Sequence, residues 1–182
     1  MSSNESSTTD QQPVIRCDSV FKIFGDKAKE MLAGVDGSNV DTKAFQEAGC
    51  IVGVNNASFD VARGEKLIIM GLSGSGKSTL LRCISRLTDA TAGRIFIEGQ
   101  DLLAMTNKQL IEIRREKMGM VFQSFALLPH KTVLENIAFP LQVKGVRTQE
   151  SIKKAMDMVE LVGLQGRENY FPRELSGGQQ QR

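Results

Sequence analysis

Lys66–Leu81 reads KLIIMGLSGSGKSTLL, and its three parts decide the fold. KLIIM, Lys66 to Met70, is a short, largely apolar run of the kind that forms a strand buried in a parallel sheet. Gly71 to Ser78, GLSGSGKS, fits the pattern G-x-x-x-x-G-K-[ST]. An apolar helical stretch follows from Lys77 to Leu87 and is ended by TDATAG. Strand, glycine loop and helix in direct succession are the setting in which that pattern has a chemical meaning.

Gly71, Gly74 and Gly76 let the backbone turn so that successive N–H groups point inward at an anion, which side chains would otherwise obstruct. Ser73 and Ser75 lie in the same loop and add their own N–H groups. The helix that starts near Lys77 contributes the positive end of its dipole, about half an elementary charge. Lys77 can reach the β- and γ-phosphates of a nucleotide, Ser78 can offer its hydroxyl to Mg²⁺, and Thr79 can assist at the phosphates. The loop is therefore expected to bind ATP with Mg²⁺. By itself it names no reaction, because kinases, GTPases and transport or motor ATPases all use one.

Outward from the loop, strands and helices alternate. VIRCDSVFKIF, Val14 to Phe24, is β-branched and aromatic enough for a strand closed by Gly25 and Asp26. Two short helices are expected at Lys27 to Ala33 and Asp41 to Ala48, then a strand in IVGVNNASFDV before an Arg-Gly turn. After the loop helix come a strand in RIFIE, a helix in KQLIEIRREK after Thr106, and a strand in MGMVFQ, Met118 to Gln123. Thr132 with Glu135 three residues on forms a capping box, so a helix starts there and is expected to end at Pro140. A longer helix from about Gln149 to Val162 stops at Gly163. This order predicts an α/β domain with a largely parallel sheet, preceded by a disordered polar tail over residues 1 to 13.

Composition narrows the function classes. The 182 residues carry 23 Lys plus Arg against 21 Asp plus Glu, a net charge of +2, which gives no reason to expect a basic groove for nucleic acid. No run approaches the roughly 18 apolar residues of a membrane span. The N-terminus has no basic region followed by an apolar one, so it is not a secretory signal. Cys17, Cys50 and Cys83 lack the close spacing of zinc ligands and read as free thiols.

Two further segments specify the loop's context. VFQSFALLPHKTVLENIAF, Val121 to Phe139, puts Gln123 at a strand end, and LSGGQ, Leu175 to Gln179, follows about a hundred residues after the glycine loop. With GLSGSGKSTLL, in this order, they resemble the nucleotide-binding subunits of ATP-binding cassette (ABC) transporters, from about Val14 to Arg182. FKIFGDKAKEML, the inserted helical stretch before IVGVNNASF, and IIMGLSGSGKSTLLR look like the ATPase subunit of glycine betaine/proline (quaternary amine) importers.

The resemblance implies a P-loop NTPase domain of the ABC type over residues 14 to 182. An antiparallel β subdomain and a helical subdomain at about Phe125 to Tyr170 belong to it, and the chain would be truncated after the LSGGQ signature. It assigns adenine stacking to Phe24, with Phe21 as the neighbouring aromatic that could be confused with it. Gln123 takes the place of the glutamine that contacts Mg²⁺ and the attacking water, beside Lys77. Ser176, Gly177, Gly178 and Gln179 match the signature loop, which in the family binds the γ-phosphate of ATP held by the other subunit. Two subunits would enclose two ATP molecules, docked on membrane permease subunits at the cytoplasmic face of the plasma membrane and served by a substrate-binding protein. His130, the one histidine, lies upstream of the family's catalytic histidine and does not take its role.

In the family an apolar strand ending in Asp-Glu follows LSGGQ and supplies the residues for hydrolysis. These 182 residues end before it, so they are expected to fold poorly alone, with the Lys66–Met70 strand short of partners, and not to turn over ATP. Two other functions stay open on the residues: a nucleotide-binding module that dimerises without turnover, and a soluble cassette ATPase acting on DNA or ribosomes.

Overall fold

A computed structural model describes residues 12–35, 38–122 and 126–182. The expected disorder of the N-terminal tail, and the roles given to Gln123 and Phe125, therefore lie outside the described residues or almost wholly so. The chain divides into two compact units, residues 1–118 and 119–182.

The first unit is built on a four-stranded antiparallel sheet in the order β2-β1-β3-β4, with β1 Ile15–Phe24, β2 Ile51–Val61, β3 Ala92–Ile97 and β4 Gln100–Asp101. β1 lies between two partners and buries both faces. Its register breaks near Ser19, whose φ of 46° marks an irregular step. Across that step the adjacent residues Val20 and Phe21 both become buried, one on each side. Cys17 and Val20 pack with Leu80 and Cys83 of helix α3, Lys77–Ile84, and with Leu110 of helix α4, Asn107–Lys117. Phe21 and Ile23 pack instead with the two short helices between β1 and β2. These are α1, Ala28–Ala33, and α2, Thr42–Glu47, and they match the expected positions. Burying a side chain such as Phe21 stabilises the fold by about 1.5–3 kcal/mol.

Arg114 of α4 fastens the end of α3: its Nε donates to the Ser85 carbonyl at 3.2 Å and its Nη2 to the Arg86 carbonyl at 2.7 Å. Arg86 in turn donates to the carbonyls of Leu102 and Met105 at 3.0 and 2.8 Å. The helix that carries the glycine loop is thus anchored at its far end to the sheet's return loop.

Two expected strands do not form. Lys66–Met70 takes no sheet structure, and Leu67, Ile68 and Met70 are 45%, 77% and 86% exposed. Met118–Phe122 is likewise outside the sheet, with Val121 fully exposed. An apolar run states which side chains favour burial, but a strand also needs neighbouring N–H and C=O groups, and among the described residues none pairs with either segment. The described sheet is accordingly antiparallel rather than largely parallel.

The second unit packs helix α5, Val133–Val143, against helix α6, Thr148–Leu161, around Val133, Val159, Leu164 and Leu175. The Thr132/Glu135 capping box is present. Pro140 does not end α5, which runs three residues further. Proline removes only its own N–H, and its carbonyl still accepts the Lys144 N–H at 3.1 Å. The chain leaves the helix at Gly145, where φ is +85°.

Candidate functional site

Gly71, Gly74 and Gly76 adopt φ of +155°, +81° and +87°, the region where an L side chain is strained, so glycine is required for this path. Gly76 also ends the loop as the N-cap of α3, and the Leu80 N–H reaches its carbonyl at 2.9 Å. A Cβ on Gly76 would collide with the Gly53 carbonyl of β2. The loop is thereby seated directly on the sheet.

Lys77 folds back into the loop. Its Nζ donates to the carbonyls of Gly71 and Leu72 at 2.8 and 2.6 Å and approaches Ser75 Oγ at 3.3 Å. The ammonium is thus held at the hollow of the loop by three oxygens of the loop itself. Phosphate oxygens are stronger partners for an ammonium than neutral carbonyls, so an entering polyphosphate can take over these contacts. Gly71, Ser75, Gly76 and Lys77 line a cavity of about 410 Å³ together with Val52 to Asn55 of β2 and Thr42 of α2. Ser73, Gly74 and Ser78 are exposed along the same loop and the first turn of α3.

Phe24 ends β1 at the surface, 44% exposed, while Phe21 is 4% exposed in the core. The structure so separates the two aromatic residues, and Phe24 is not a core residue. Its ring lies close to Thr79: a Cβ placed on Gly53 would be 3.0 Å from Phe24 Cε2 and 3.1 Å from Thr79 Cγ2. The Lys22 ammonium stands 4.8 Å from the Phe24 ring centroid, a cation over an aromatic face. An exposed ring beside the glycine loop can accept a flat base.

In the second unit, LSGGQ starts a short helix, α7, Gly177–Gln181. Ser176 and Gln179 form a reciprocal capping box, with the Gln179 N–H donating to Ser176 Oγ at 3.3 Å and the Ser176 N–H to Gln179 Oε1 at 3.0 Å. Gly177 and Gly178 are exposed, and a Cβ on either would meet nothing within 4 Å. Packing inside the described structure therefore does not demand glycine at these positions.

Cys17, Cys50 and Cys83 are buried and free. Burial pushes the Cys17 thiol up to about 12 and raises that of Cys83, so neither is a thiolate nucleophile at neutral pH. Two residues of the cavity, Thr42 and Asn55, were not legible as site residues in the sequence. The one available signal was the length of the insertion that carries Thr42.

Residues 54–182 match the family model for ABC transporters. The chain is 76% identical over 170 residues to the trimethylamine N-oxide transport system ATP-binding protein TmoW of Pelagibacter ubique, covering 93% of this chain and 50% of that protein. It is 46% identical to the glycine betaine transport ATP-binding protein OpuAA of Bacillus subtilis, covering 96% of this chain and 42% of that one. Among solved structures, the dimeric post-hydrolysis state of the ATP-binding cassette MJ0796 bound to ADP and Pi superposes with a TM-score of 0.72 at 31% identity. That match covers 91% of this chain and 65% of that one. The chain thus spans about half the length of the curated relatives it matches. With the phosphate loop and the LSGGQ segment both inside the matched residues, the chain belongs to the ABC transporter family.

Proposed function

We propose that this chain is the nucleotide-binding portion of an ATP-hydrolysing subunit that drives import of a small osmolyte, trimethylamine N-oxide ahead of glycine betaine or proline. The observation that carries the ATP part is the loop from Gly71 to Lys77, with its three left-handed glycines and an ammonium at its hollow. The solute part rests on the relatives. Those named for trimethylamine N-oxide are 76% and 56% identical, against 46% for the glycine betaine protein.

In this reading Lys77 exchanges its loop carbonyls for the β- and γ-phosphate oxygens, and the N–H groups of Gly74 to Ser78 surround them. Phe24 stacks on adenine, and Thr79 supports the phosphates. Ser78 and Gln123 offer hard oxygen donors, which suit Mg²⁺. The bound ion would neutralise phosphate charge. The Ser176 hydroxyl and the open backbone of Gly177 and Gly178, with Gln179 holding the cap, face the γ-phosphate bound by a second subunit. Positioning and charge neutralisation then supply the catalysis. Among the described residues no helix is long and apolar enough to cross a membrane. In this reading the subunit works as a peripheral partner of permease subunits at the cytoplasmic face, and a substrate-binding protein delivers the solute to the permease.

The test is ATP hydrolysis by the complete subunit, reconstituted in proteoliposomes with its permease and binding protein. Trimethylamine N-oxide should stimulate hydrolysis more than glycine betaine does, and Lys77→Ala should abolish the stimulation. Stimulation by neither amine would remove the solute assignment.

A further inference from the structure

The segment from Gly25 to Cys50 joins β1 to β2 and folds as a lobe with a core of its own. Ala28 and Leu32 of α1, Val40, Phe45 of α2, and Cys50 are buried with Phe21 and Ile23 of β1. The lobe leaves the sheet directly after Phe24 and returns at Ile51, the residue paired with Phe24. It therefore stands beside the exposed Phe24 ring by construction.

A side chain of β2 ties the lobe to the strand that floors the cavity. Asn55 of β2 uses both ends of its amide on one residue of the lobe. Its Oδ1 accepts the Val40 N–H at 2.9 Å, and its Nδ2 donates to the Val40 carbonyl at 3.1 Å. Asp41 then turns the chain by accepting the Lys43 N–H at 2.9 Å. Between them Thr42 lines the same cavity as Asn55, Gly76 and Lys77.

The loop brings backbone N–H groups and an ammonium to this cavity, which suit phosphate oxygens. Thr42 brings a hydroxyl, which both donates and accepts and so suits a ribose hydroxyl or a base edge. Resting on the assignment of this cavity to ATP, we propose that the Gly25–Cys50 lobe is a wall of the nucleotide site. Thr42 contacts the nucleoside part of ATP, and Asn55 is the positioning residue that seats it. An aspartate at position 55 has nearly the same shape, but it sets a carboxylate oxygen against the Val40 carbonyl. Two acceptors then face each other and the clamp opens.

The test separates the two halves of the ligand. ATP and inorganic tripolyphosphate are each titrated by calorimetry against the complete subunit and its Thr42→Val, Asn55→Asp, double and Lys77→Ala variants. Thr42→Val should weaken ATP about 3- to 10-fold, the worth of one hydrogen bond, and leave tripolyphosphate unchanged. Asn55→Asp should fall on the same side of that split, and the double variant should be no weaker than Asn55→Asp. Lys77→Ala should weaken both ligands. Parent-like ATP binding by Thr42→Val, or equal weakening of ATP and tripolyphosphate, would overturn the proposal. Thr42 is exposed, so Thr42→Val decides the matter even where Asn55→Asp does not fold. If the parent chain binds neither ligand, the assignment of the cavity to ATP fails and the lobe's role with it.

Discussion

The Gly53 carbonyl oxygen occupies the space that a Cβ on Gly76 would need, so the sheet and the phosphate loop touch backbone to backbone. Gly74, two residues earlier, has the same left-handed backbone, φ +81°, but nothing within 4 Å of its would-be Cβ. The pair separates backbone strain from collision. Gly74→Ala should cost about 1 kcal/mol of stability, the strain of a left-handed alanine. Gly76→Ala adds a displaced strand and should cost about 3 kcal/mol or more. Urea denaturation of the two variants measures both values; equal midpoints would show that the loop does not rest on β2.

Phe21 and Phe24 differ in burial at 4% and 44%, and their truncations should differ in kind. Phe21→Ala should destabilise the first unit by about 3–5 kcal/mol. Phe24→Ala should leave the denaturation midpoint nearly unchanged and weaken ATP about 3- to 10-fold through the lost ring stacking. Tripolyphosphate binding should not respond to Phe24→Ala. A Phe24→Ala protein that binds ATP like the parent would remove the adenine role from this residue.

Glu98 is held between two cations, with Lys117 Nζ at 3.0 Å and Arg63 Nη2 at 2.5 Å. Lys117 first and then Arg63 hold its carboxyl below the usual carboxylate range. A lowered folded-state pKa means stability that is present above the unfolded value and lost as pH falls through the folded one. Glu98→Gln should therefore lower the urea midpoint slightly at pH 7. The gap to the parent should begin to narrow as pH falls below the ordinary glutamate value of about 4.3 and close only below the lowered folded-state value, where the parent carboxyl is neutral too. A gap that is constant across pH would mean that Glu98 acts through packing rather than charge.

Local signals in the sequence were sufficient for much of the architecture. Thr132 with Glu135, and the glycines of GLSGSGKS, act within a few residues of themselves, and both the capped helix and the left-handed loop are present. The helices α1 and α2 were legible for the same reason. Lys66–Met70 is short of strand partners, as expected, and Met118–Phe122 was misread, because a strand is not a local object: Ile68, 77% exposed, has the side chain for a sheet but no ladder to join among the described residues. Pro140 misled because an interior proline disfavours a helix without always ending it, and α5 continues three residues past it. Of the site, the loop was readable from residue types at fixed spacing. The meeting of Thr42 and Asn55 with Lys77 was not, since it depends on how β2 returns beside β1. Phe24 is set apart from Phe21 by their odd spacing along β1 and by its place at the strand's end, where the ring is 44% exposed against 4% for Phe21.

The central claim is that the Gly71–Lys77 loop is an ATP site whose Lys77 ammonium trades its own carbonyls for phosphate oxygens. Titration of a fluorescent ATP analogue into the complete subunit and into its Lys77→Ala variant tests it most directly, with far-UV circular dichroism to show that both are folded alike. The parent should bind saturably, compete with unlabelled ATP, and lose about tenfold or more of its affinity in Lys77→Ala, as expected for a lost charge-assisted contact. Equal binding by parent and Lys77→Ala would contradict the account.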